Sequence, residues 1–258
     1  MKIGKYIKIL AFVCGTVIKL NLFKTLYFNF KELSFMQALK LPVHFYGKTD
    51  FVNLTGTFKI LTSEIHFGMI VFGGKHEIVV SSNVPTRIYN SGTIEFFGPA
   101  VFARGINIMV WDNGLLSIGQ NFSIGSLSRL IIFRNMKFGA DVLVSWECQF
   151  FDTDFHFFLS DQQKIKDNCA DVFVDDGVWI GCRVTVLKNT KIAKKSIVAA
   201  GSLCSGNYID KFGEAVLLGG MPAILLKNNV SYLKNKCHET ELFDYFAAHP
   251  NTEIVWNK

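Results

Sequence analysis

The sequence predicts a mainly β protein whose chain winds as a three-sided parallel β-helix, with short helical additions at both ends. Two observations predict this fold. Apolar residues recur every six positions from Val174 to Cys204, and the same step appears upstream in 118–150. A helix repeats every ~3.6 residues and a half-buried strand every two, so neither element produces this pattern.

The clearest run of the six-residue period lies in 174–204. Its positions are Val174, Ile180, Val186, Ile192, Val198 and Cys204. One such residue on each flat side would point to the axis of a prism, because β-branched side chains pack well on a pleated surface. Three sides close after about 18 residues, and the coils then stack by parallel pairing. The residue four places later should be small or branched, as are Val178, Val184, Thr190, Ser196 and Ser202.

Two shorter runs with the same step lie upstream. Their members are Ile118, Ile124, Leu130 and Met136 in one run, and Phe138, Val144 and Phe150 in the other. The offset of two between Met136 and Phe138 predicts an irregular corner. Residues 43–117 are rich in Phe, Ile, Val, Thr and Gly and predict earlier, less regular coils. An antiparallel sandwich is the alternative, but it would not keep one period over so many steps.

The domain organisation follows from where the period holds. We expect an N-terminal helical segment at 1–42, a β-helix domain at 43–227 with a loop insertion at 157–173, and a C-terminal tail at 228–258. The first segment has helical apolar stripes that stop at Pro42, and it either caps the open end of the prism or contacts a membrane surface. Its apolar stretch, 8–23, is too short and too interrupted by Lys19 for a membrane span.

Composition limits the function classes. The chain has 258 residues, half of them apolar, and a net charge of +6. This charge suits anionic partners such as phosphates, acidic glycans or a membrane surface, whereas no nucleic-acid-binding motif accompanies the lysines. The six cysteines are scattered, which is typical of reduced thiols in a cytoplasmic protein and not of a disulfide framework or zinc site. No pair of histidines has metal-ligand spacing.

One histidine has a sequence context suited to chemistry. Of six histidines, only His156 stands beside carboxylates in the coil region, in "FFDTDFHFF". Counting in sixes from Phe150 would point His156 into the core, where an imidazole flanked by carboxylates is costly. The residues that follow, 157–173, keep no period of six. We therefore expect the coil to break near Asp152 and a loop to carry His156 outward.

The stretch "VWIGCRVTVLKNTKIAKKSIVAAGSLC", followed by "VLLGGMPAILLK", resembles the hexapeptide-repeat acyltransferases. More narrowly, it is similar to the sugar and polysaccharide O-acetyltransferases, a group that includes the galactoside, maltose and sialic acid O-acetyltransferases. The resemblance covers about 110–230. It implies a left-handed winding of the β-helix, a homotrimer, acetyl-CoA as the donor, no metal, and active sites in grooves between neighbouring prisms.

The resemblance also implies roles for individual residues. His156 would be the general base, because the unperturbed histidine pKa lies near working pH, and Asp152 or Asp154 would orient its imidazole. Trp179 would lie near the thioester and the acceptor sugar. The acetyl-CoA contacts carry over to Cys182, Ala200, Ser205 and Lys227, with Lys227 near a phosphate. No acyl-cysteine is required, since the transfer is direct.

This sequence departs from the family at two places near the donor phosphates. The family commonly has a basic residue at the position of Ile224 and a lysine at the position of Gly206, so the resemblance does not supply the phosphate contacts at these two places. The nearby lysines that could replace them are Lys188, Lys191, Lys194 and Lys195.

The leading function is therefore O-acetylation of a sugar hydroxyl, on a bacterial surface polysaccharide or its lipid-linked precursor. Three alternatives stay open. An N-acetyltransferase of a nucleotide-linked amino sugar would use the same donor, and a non-catalytic β-helix would serve as a scaffold. A γ-carbonic anhydrase shares the fold but needs three zinc-binding histidines. We expect a cytoplasmic protein, either free or at the inner face of the cell membrane.

Overall fold

The computed structural model describes residues 20–74, 83–233 and 236–256. Three sheets of nine, seven and six strands form the sides of a column, and nearly every strand pairs with the one three places along the chain. The chain therefore visits the three sheets in turn. This is the three-sided parallel β-helix predicted from the six-residue period, and it is consistent with the left-handed winding that the resemblance implies.

We call the sheets faces 1, 2 and 3. Face 1 contains β1 (Val43–Phe45), β4 (Ile70–Gly74), β7 (Ala100–Ala103), β10 (Phe122–Ile124), β13 (Leu143–Val144), β16 (Trp179–Ile180), β19 (Ile197–Val198), β21 (Leu217–Gly220) and β22 (Ala223–Lys227). Face 2 contains β2 (Thr49–Leu54), β5 (Thr86–Asn90), β8 (Asn107–Val110), β11 (Arg129–Ile132), β14 (Gln149–Phe151), β17 (Thr185–Val186) and β20 (Leu203–Cys204). Face 3 contains β3 (Thr57–Ile60), β6 (Thr93–Phe96), β9 (Leu115–Ile118), β12 (Asn135–Phe138), β15 (Val172–Val174) and β18 (Lys191–Ile192).

The C-terminal coils follow the predicted repeat. Thr185 of β17 pairs with Leu203 of β20, one coil of 18 residues later. The predicted inward residues are fully buried: Val174, Ile180, Val186, Ile192, Val198 and Cys204. The small or branched residues at the bends are buried as well: Val178, Val184, Thr190, Ser196 and Ser202. The prediction of the core is confirmed in this part of the column.

The middle coils are wider than the period suggests. Asn107 of β8 pairs with Arg129 of β11, so this coil takes 22 residues. Met136 and Phe138 both lie in β12 and are both buried, while Asn135 and Lys137 alternate with them. The irregular corner predicted between Met136 and Phe138 is therefore wrong. A four-residue strand simply points two side chains inward, because side chains alternate along a strand.

Phenylalanine fills the wider coils. Phe72 stacks on Phe102 with ring centroids 4.7 Å apart, and Phe58 stacks on Phe96 at 4.9 Å. The narrower C-terminal coils are filled by Val, Ile and Cys instead. Since interiors are close-packed, longer sides enclose more volume and require larger side chains. This accounts for much of the abundance of phenylalanine, 25 residues, in the sequence.

Two helices cover the N-terminal end of the column: α1 (Leu22–Glu32) and α2 (Phe35–Ala38). The Asn29 side-chain amide donates to the Val43 carbonyl at 2.7 Å, and its oxygen accepts from the Val43 N–H at 3.1 Å. Phe28 packs on Phe45 with ring centroids 5.0 Å apart. The hydrogen bonds of Asn29 pair with backbone groups at the edge of β1, which would otherwise be left without partners. The rest of the predicted N-terminal segment, 1–19, lies outside the described residues.

The C-terminal end is less regular. Helix α3 (Tyr208–Phe212) separates β20 from β21, and β22 returns antiparallel to β21. Helix α4 (Lys236–Ala248) follows the column. None of the helices in the described part of the chain is long and apolar enough to span a bilayer.

Candidate active site

A long loop, 152–171, interrupts the coil between β14 and β15. Its base is a short antiparallel stem, in which the Asp154 N–H donates to Asn168 O at 2.8 Å and the Ala170 N–H to Asp152 O at 2.9 Å. Farther out, Leu159 and Ile165 form a second antiparallel bridge. His156 lies just beyond the stem, with an exposed side chain. The loop starts where the broken period predicts it and carries His156 away from the core.

A local turn sets the direction of His156. Phe155 has a φ of 61°, a left-handed conformation that is strained for a bulky residue. The ring of Phe155 packs edge-on against Phe133 and Phe151, with centroids 5.9 and 5.8 Å apart, which anchors the turn. The His156 N–H donates to Asp154 O at 2.7 Å. Among the described residues the imidazole itself has no hydrogen bond or ion pair, so both ring nitrogens can meet a substrate.

Charged side chains hold the loop base. Lys188 pairs with Asp154 at 2.6 Å and also donates to Asp167 O at 3.2 Å. Arg134 donates to the Asp167 carboxylate at 2.5 Å and to Cys169 O at 3.0 Å. The Cys169 N–H, and next the Arg134 guanidinium, lower the pKa of Asp167. Arg134 precedes β12 and Lys188 follows β17, so the base of the loop is held from both neighbouring coils. We call Arg134, Lys188 and their partners Asp154 and Asp167 the loop clamp.

Asp152 has a different environment from Asp154. It is fully buried, and its carboxylate oxygens accept hydrogen bonds from the backbone N–H groups of Phe133 and Arg134, each at 2.8 Å. Burial raises its pKa, and these N–H groups offset part of the increase. The carboxylate thus supports the corner of the preceding coil. We find no contact between it and the imidazole of His156, and Asp154 also contacts that residue only through its backbone.

Trp179 lies on another side of the column. It belongs to β16 on face 1, whereas His156 leaves the corner between faces 2 and 3. Trp179 is half-buried, and the Tyr232 ring lies against it with centroids 5.5 Å apart. Burial raises the pKa of Tyr232 to about 12. A single chain therefore does not bring Trp179 and His156 to one site.

The predicted acetyl-CoA contacts are spread over two corners and one edge. Cys182 and Ala200 are neighbours at the corner after face 1, where the Gly201 N–H donates to Cys182 O at 2.9 Å. Ser205 is exposed at the next corner, and its N–H already donates to the Tyr208 hydroxyl at 3.2 Å. Lys227 ends β22 and is exposed. The structure brings together only Cys182 and Ala200.

Two of the cysteines are closed off from substrate. Cys148 and Cys204 are buried, and burial raises the pKa of each thiol to about 12, which makes them poor nucleophiles. Within 20–74, 83–233 and 236–256, no three His, Cys, Asp or Glu side chains are grouped so as to hold a metal ion.

Sequence reasoning missed the clamp at the loop base. Arg134 and Asp167 are 33 positions apart, and the six-residue pattern does not relate them. The available signal was indirect: a loop that leaves a regular coil has to be held by polar groups on the adjacent coils.

Comparisons with known proteins give distant relatives. No family model matches the chain. It is 28% identical over 153 residues to an uncharacterized 24.8 kDa protein in the cps region of Klebsiella pneumoniae, a match covering 59% of this chain and 66% of that protein. It is 22% identical over 169 residues to WbbJ of Escherichia coli (strain K12), a proposed lipopolysaccharide biosynthesis O-acetyl transferase, covering 62% of this chain and 81% of WbbJ. WbbJ is a sequence relative of this chain.

A solved structure also overlays on the column. The polySia specific acetyltransferase NeuO superimposes with a TM-score of 0.45 at 15% identity, over 84% of this chain and 91% of that one.

Proposed function

We propose that this protein is an acetyl-CoA-dependent O-acetyltransferase that modifies a sugar hydroxyl of a bacterial surface polysaccharide or its lipid-linked precursor. The observation that carries the proposal is the exposed imidazole of His156, held out from a β-helix on a clamped loop. The sequence relationship to WbbJ supports the same reaction class. A scaffold would have no need for an unpaired histidine on a loop fixed by two ion pairs.

The reaction needs a base and a positioned thioester. The neutral imidazole of His156 takes the proton of the sugar hydroxyl as its oxygen attacks the thioester carbonyl carbon. The tetrahedral intermediate collapses with cleavage of the carbon–sulfur bond, so the acetyl group stays on the sugar oxygen. The CoA thiolate leaves and takes the proton from the imidazolium. Asp154, paired with Lys188, helps to hold the loop that presents the base.

We propose that the complete site lies between two copies of the chain, in a homotrimer. His156 and Trp179 lie on different sides of the column, so a site containing both requires a neighbour. On the neighbour, the corner at Cys182 and Ala200 is lined by small residues. A narrow pantetheine arm would fit there and hydrogen-bond to backbone groups, while Lys227 would lie near the nucleotide phosphates.

Release of free CoA tests the reaction. The protein is incubated with acetyl-CoA and a panel of glycans, beside His156→Ala and the control His66→Ala, which removes an exposed histidine near the other end of the column. Loss of a general base is expected to slow turnover about 10²–10⁴-fold, and the control should match the unsubstituted protein. Equal CoA release by His156→Ala would remove the base assignment. Turnover with amino-sugar nucleotides alone would favour the N-acetyltransferase.

We also propose that the N-terminal helices contact a membrane surface. Helix α1 buries Thr25, Phe28 and Asn29 against the column, yet its opposite side is apolar as well. The exposed apolar residues of α1 and α2 and the position after them are Leu22, Phe23, Leu26, Tyr27, Phe30, Phe35, Met36 and Leu39. Phe23 is 77% exposed. Apolar helical faces of this kind insert into the lipid interface, and a lipid-linked acceptor would be found there.

Vesicle flotation tests the membrane contact. Phe23→Ser with Phe35→Ser should reduce co-flotation with anionic vesicles about tenfold, whereas Phe97→Ser, an exposed phenylalanine on the column, should not. Unchanged flotation of the double variant would contradict the proposal. So would a double variant that floats normally but no longer self-associates, because the apolar surface would then contact another copy of the chain.

A further inference from the structure

A cavity of about 390 Å³ lies on the outer side of face 3, under helix α3. Its polar and aromatic lining consists of Asn135, Lys137, Asp171, Phe173, Lys191 and Asp210. The volume falls within the range of ~300–1,000 Å³ that is typical of small-molecule sites. No residue with a proposed role in catalysis lines it, and Lys191 is the one lining residue that was also considered as a contact for the donor phosphates.

Two lysines flank an aromatic ring on the floor of the cavity. Lys137, Phe173 and Lys191 are in register on adjacent strands, so the lysines are two strand spacings apart, about 10 Å between backbones. The Lys137 ammonium lies 5.9 Å from the centre of the Phe173 ring. Neither lysine pairs with a carboxylate within the described parts of the chain. Two unpaired ammonium groups around one cavity favour a ligand with a negative charge.

The acidic residues at the rim limit which anion fits. Asp171 accepts a 3.4 Å hydrogen bond from the Asn135 side chain, and Asp210 a 2.7 Å bond from the Asn207 side chain. Both carboxylates remain accessible and can accept further hydrogen bonds. A polyanion such as a pyrophosphate would be repelled by them, whereas hydroxyl groups would be hydrogen-bonded. The ligand should combine one negative charge with several hydroxyls and a flat apolar surface for Phe173.

We propose that this cavity binds a sugar residue bearing a carboxylate, with the carboxylate at Lys137 and Lys191 and the ring on Phe173. If the proposed function holds, this sugar is an acidic residue of the glycan acceptor. The location fits that use: Asn135 directly follows Arg134 of the loop clamp, and Asp171 ends the loop that carries His156. A glycan held here could extend past the loop base toward the imidazole.

Direct binding of glucuronic acid tests the site without catalysis. Glucuronic acid, glucose and glucose 1-phosphate are titrated into the protein, with chemical shifts of labelled lysine and phenylalanine as the readout. Glucuronic acid should bind at least about tenfold more tightly than glucose, since an uncharged sugar cannot use the two ammonium groups. Lys137→Gln and Lys191→Gln should each weaken glucuronic acid binding about tenfold, while Lys48→Gln, an exposed lysine on another part of the column, should not.

The possible results separate this site from the proposed function. Equal affinity for glucose, preference for glucose 1-phosphate, or no effect of the two substitutions would overturn the site. His156→Ala should bind glucuronic acid normally. Specific binding of glucuronic acid without acetyl transfer to any glycan of the panel would leave the site standing and refute the enzyme. Acetyl transfer that neither lysine substitution affects, in a protein that does not bind glucuronic acid, would refute the site and leave the enzyme standing.

Discussion

Asp152 and Asp154 show how two carboxylates in one short motif can have separate uses. Asp152 is buried and accepts two backbone hydrogen bonds, whereas Asp154 is partly exposed and pairs with Lys188. Replacing Asp152 with Asn exchanges one acceptor oxygen for an amide donor that faces a backbone N–H. We expect Asp152→Asn to lower the free energy of unfolding by about 1–3 kcal/mol, measured by urea denaturation.

The same variant distinguishes support of the fold from catalysis. Turnover per folded molecule should remain near that of the unsubstituted protein, because Asp152 has no contact with the imidazole. A large fall in kcat with unchanged stability would instead assign Asp152 to the orientation of His156.

Stability against pH offers a second signature of Asp152. Burial raises its pKa above the unfolded value of about 3.9. The carboxyl group therefore contributes stability that is fully present below the unfolded pKa and is lost as pH rises through the folded pKa. Asp152→Asn should lack this step in a plot of unfolding free energy against pH, and a parallel plot for the two proteins would contradict the assignment.

At the residue scale, the sequence predicted inward positions better than polar partners. Counting in sixes placed Ile180 and Val186 correctly in the core, because the period is strict in that part of the chain. The partners of Asp152 lie on the preceding coil, at Phe133 and Arg134. Pairing them requires the length of the coil, which the sequence pattern leaves open in this region.

At the level of the coils, close backbone stacking makes some glycines irreplaceable. A methyl group on Gly119 would overlap the backbone of Gly139 and Ala140 on the next coil, whereas one on Gly206 would meet only the Lys211 ammonium group, at 3.5 Å. We expect Gly119→Ala to destabilise the fold by about 1–3 kcal/mol and Gly206→Ala to change it little. Thermal and urea unfolding of the two variants measure the difference. Equal stabilities would show that the coils can separate to admit a side chain.

The loop clamp should act locally. Arg134 is exposed, so its ion pair with Asp167 adds little to global stability. It nevertheless ties the loop base to the column through Asp167 and Cys169. We expect Arg134→Met to speed amide hydrogen exchange in 153–170 several-fold while leaving the global unfolding free energy nearly unchanged.

If His156 is the proposed base, loosening the loop should also lower kcat, since the imidazole would spend less time in its productive position. Arg87→Met, which removes an exposed arginine from face 2, is the matched control. Unaltered exchange in the loop of Arg134→Met would mean that Lys188 and the backbone stem suffice to hold it.

The sequence predicted the strands of the last coils better than those of the middle coils, and the reason is the length of the strands. In the last coils each short strand has one inward residue, so the six-residue period is visible directly. In the middle coils a four-residue strand has two inward residues, such as Met136 and Phe138. The inward residues are then two positions apart within a strand and farther apart between strands, so a constant step of six is not seen. The corner misplaced between them came from reading one strand as two sides.

For the whole molecule, the order of the faces decides what one chain can do alone. Strand β14, which leads to His156, belongs to face 2, and β16, which holds Trp179, belongs to face 1. The sequence therefore names the candidate residues one by one, and a single chain does not place Trp179 beside His156, which is why we propose a site shared by two copies. No sequence period specifies how columns pack side by side, because that depends on the outward residues, which the repeat leaves free.

Subunit complementation measures this dependence. If each site takes its imidazole from one copy and its indole from the next, His156→Ala and Trp179→Ala chains are each weak alone. Co-expressed in equal amounts, they should form mixed trimers in which about a quarter of the sites have both groups intact, so activity should return to about a quarter of the unsubstituted level. Co-expression of His156→Ala with His156→Gln gives no intact site and is the control for assembly. Mixed trimers without recovered turnover would mean that His156 and Trp179 do not share a site, and Trp179 would then be left with its packing against Tyr232.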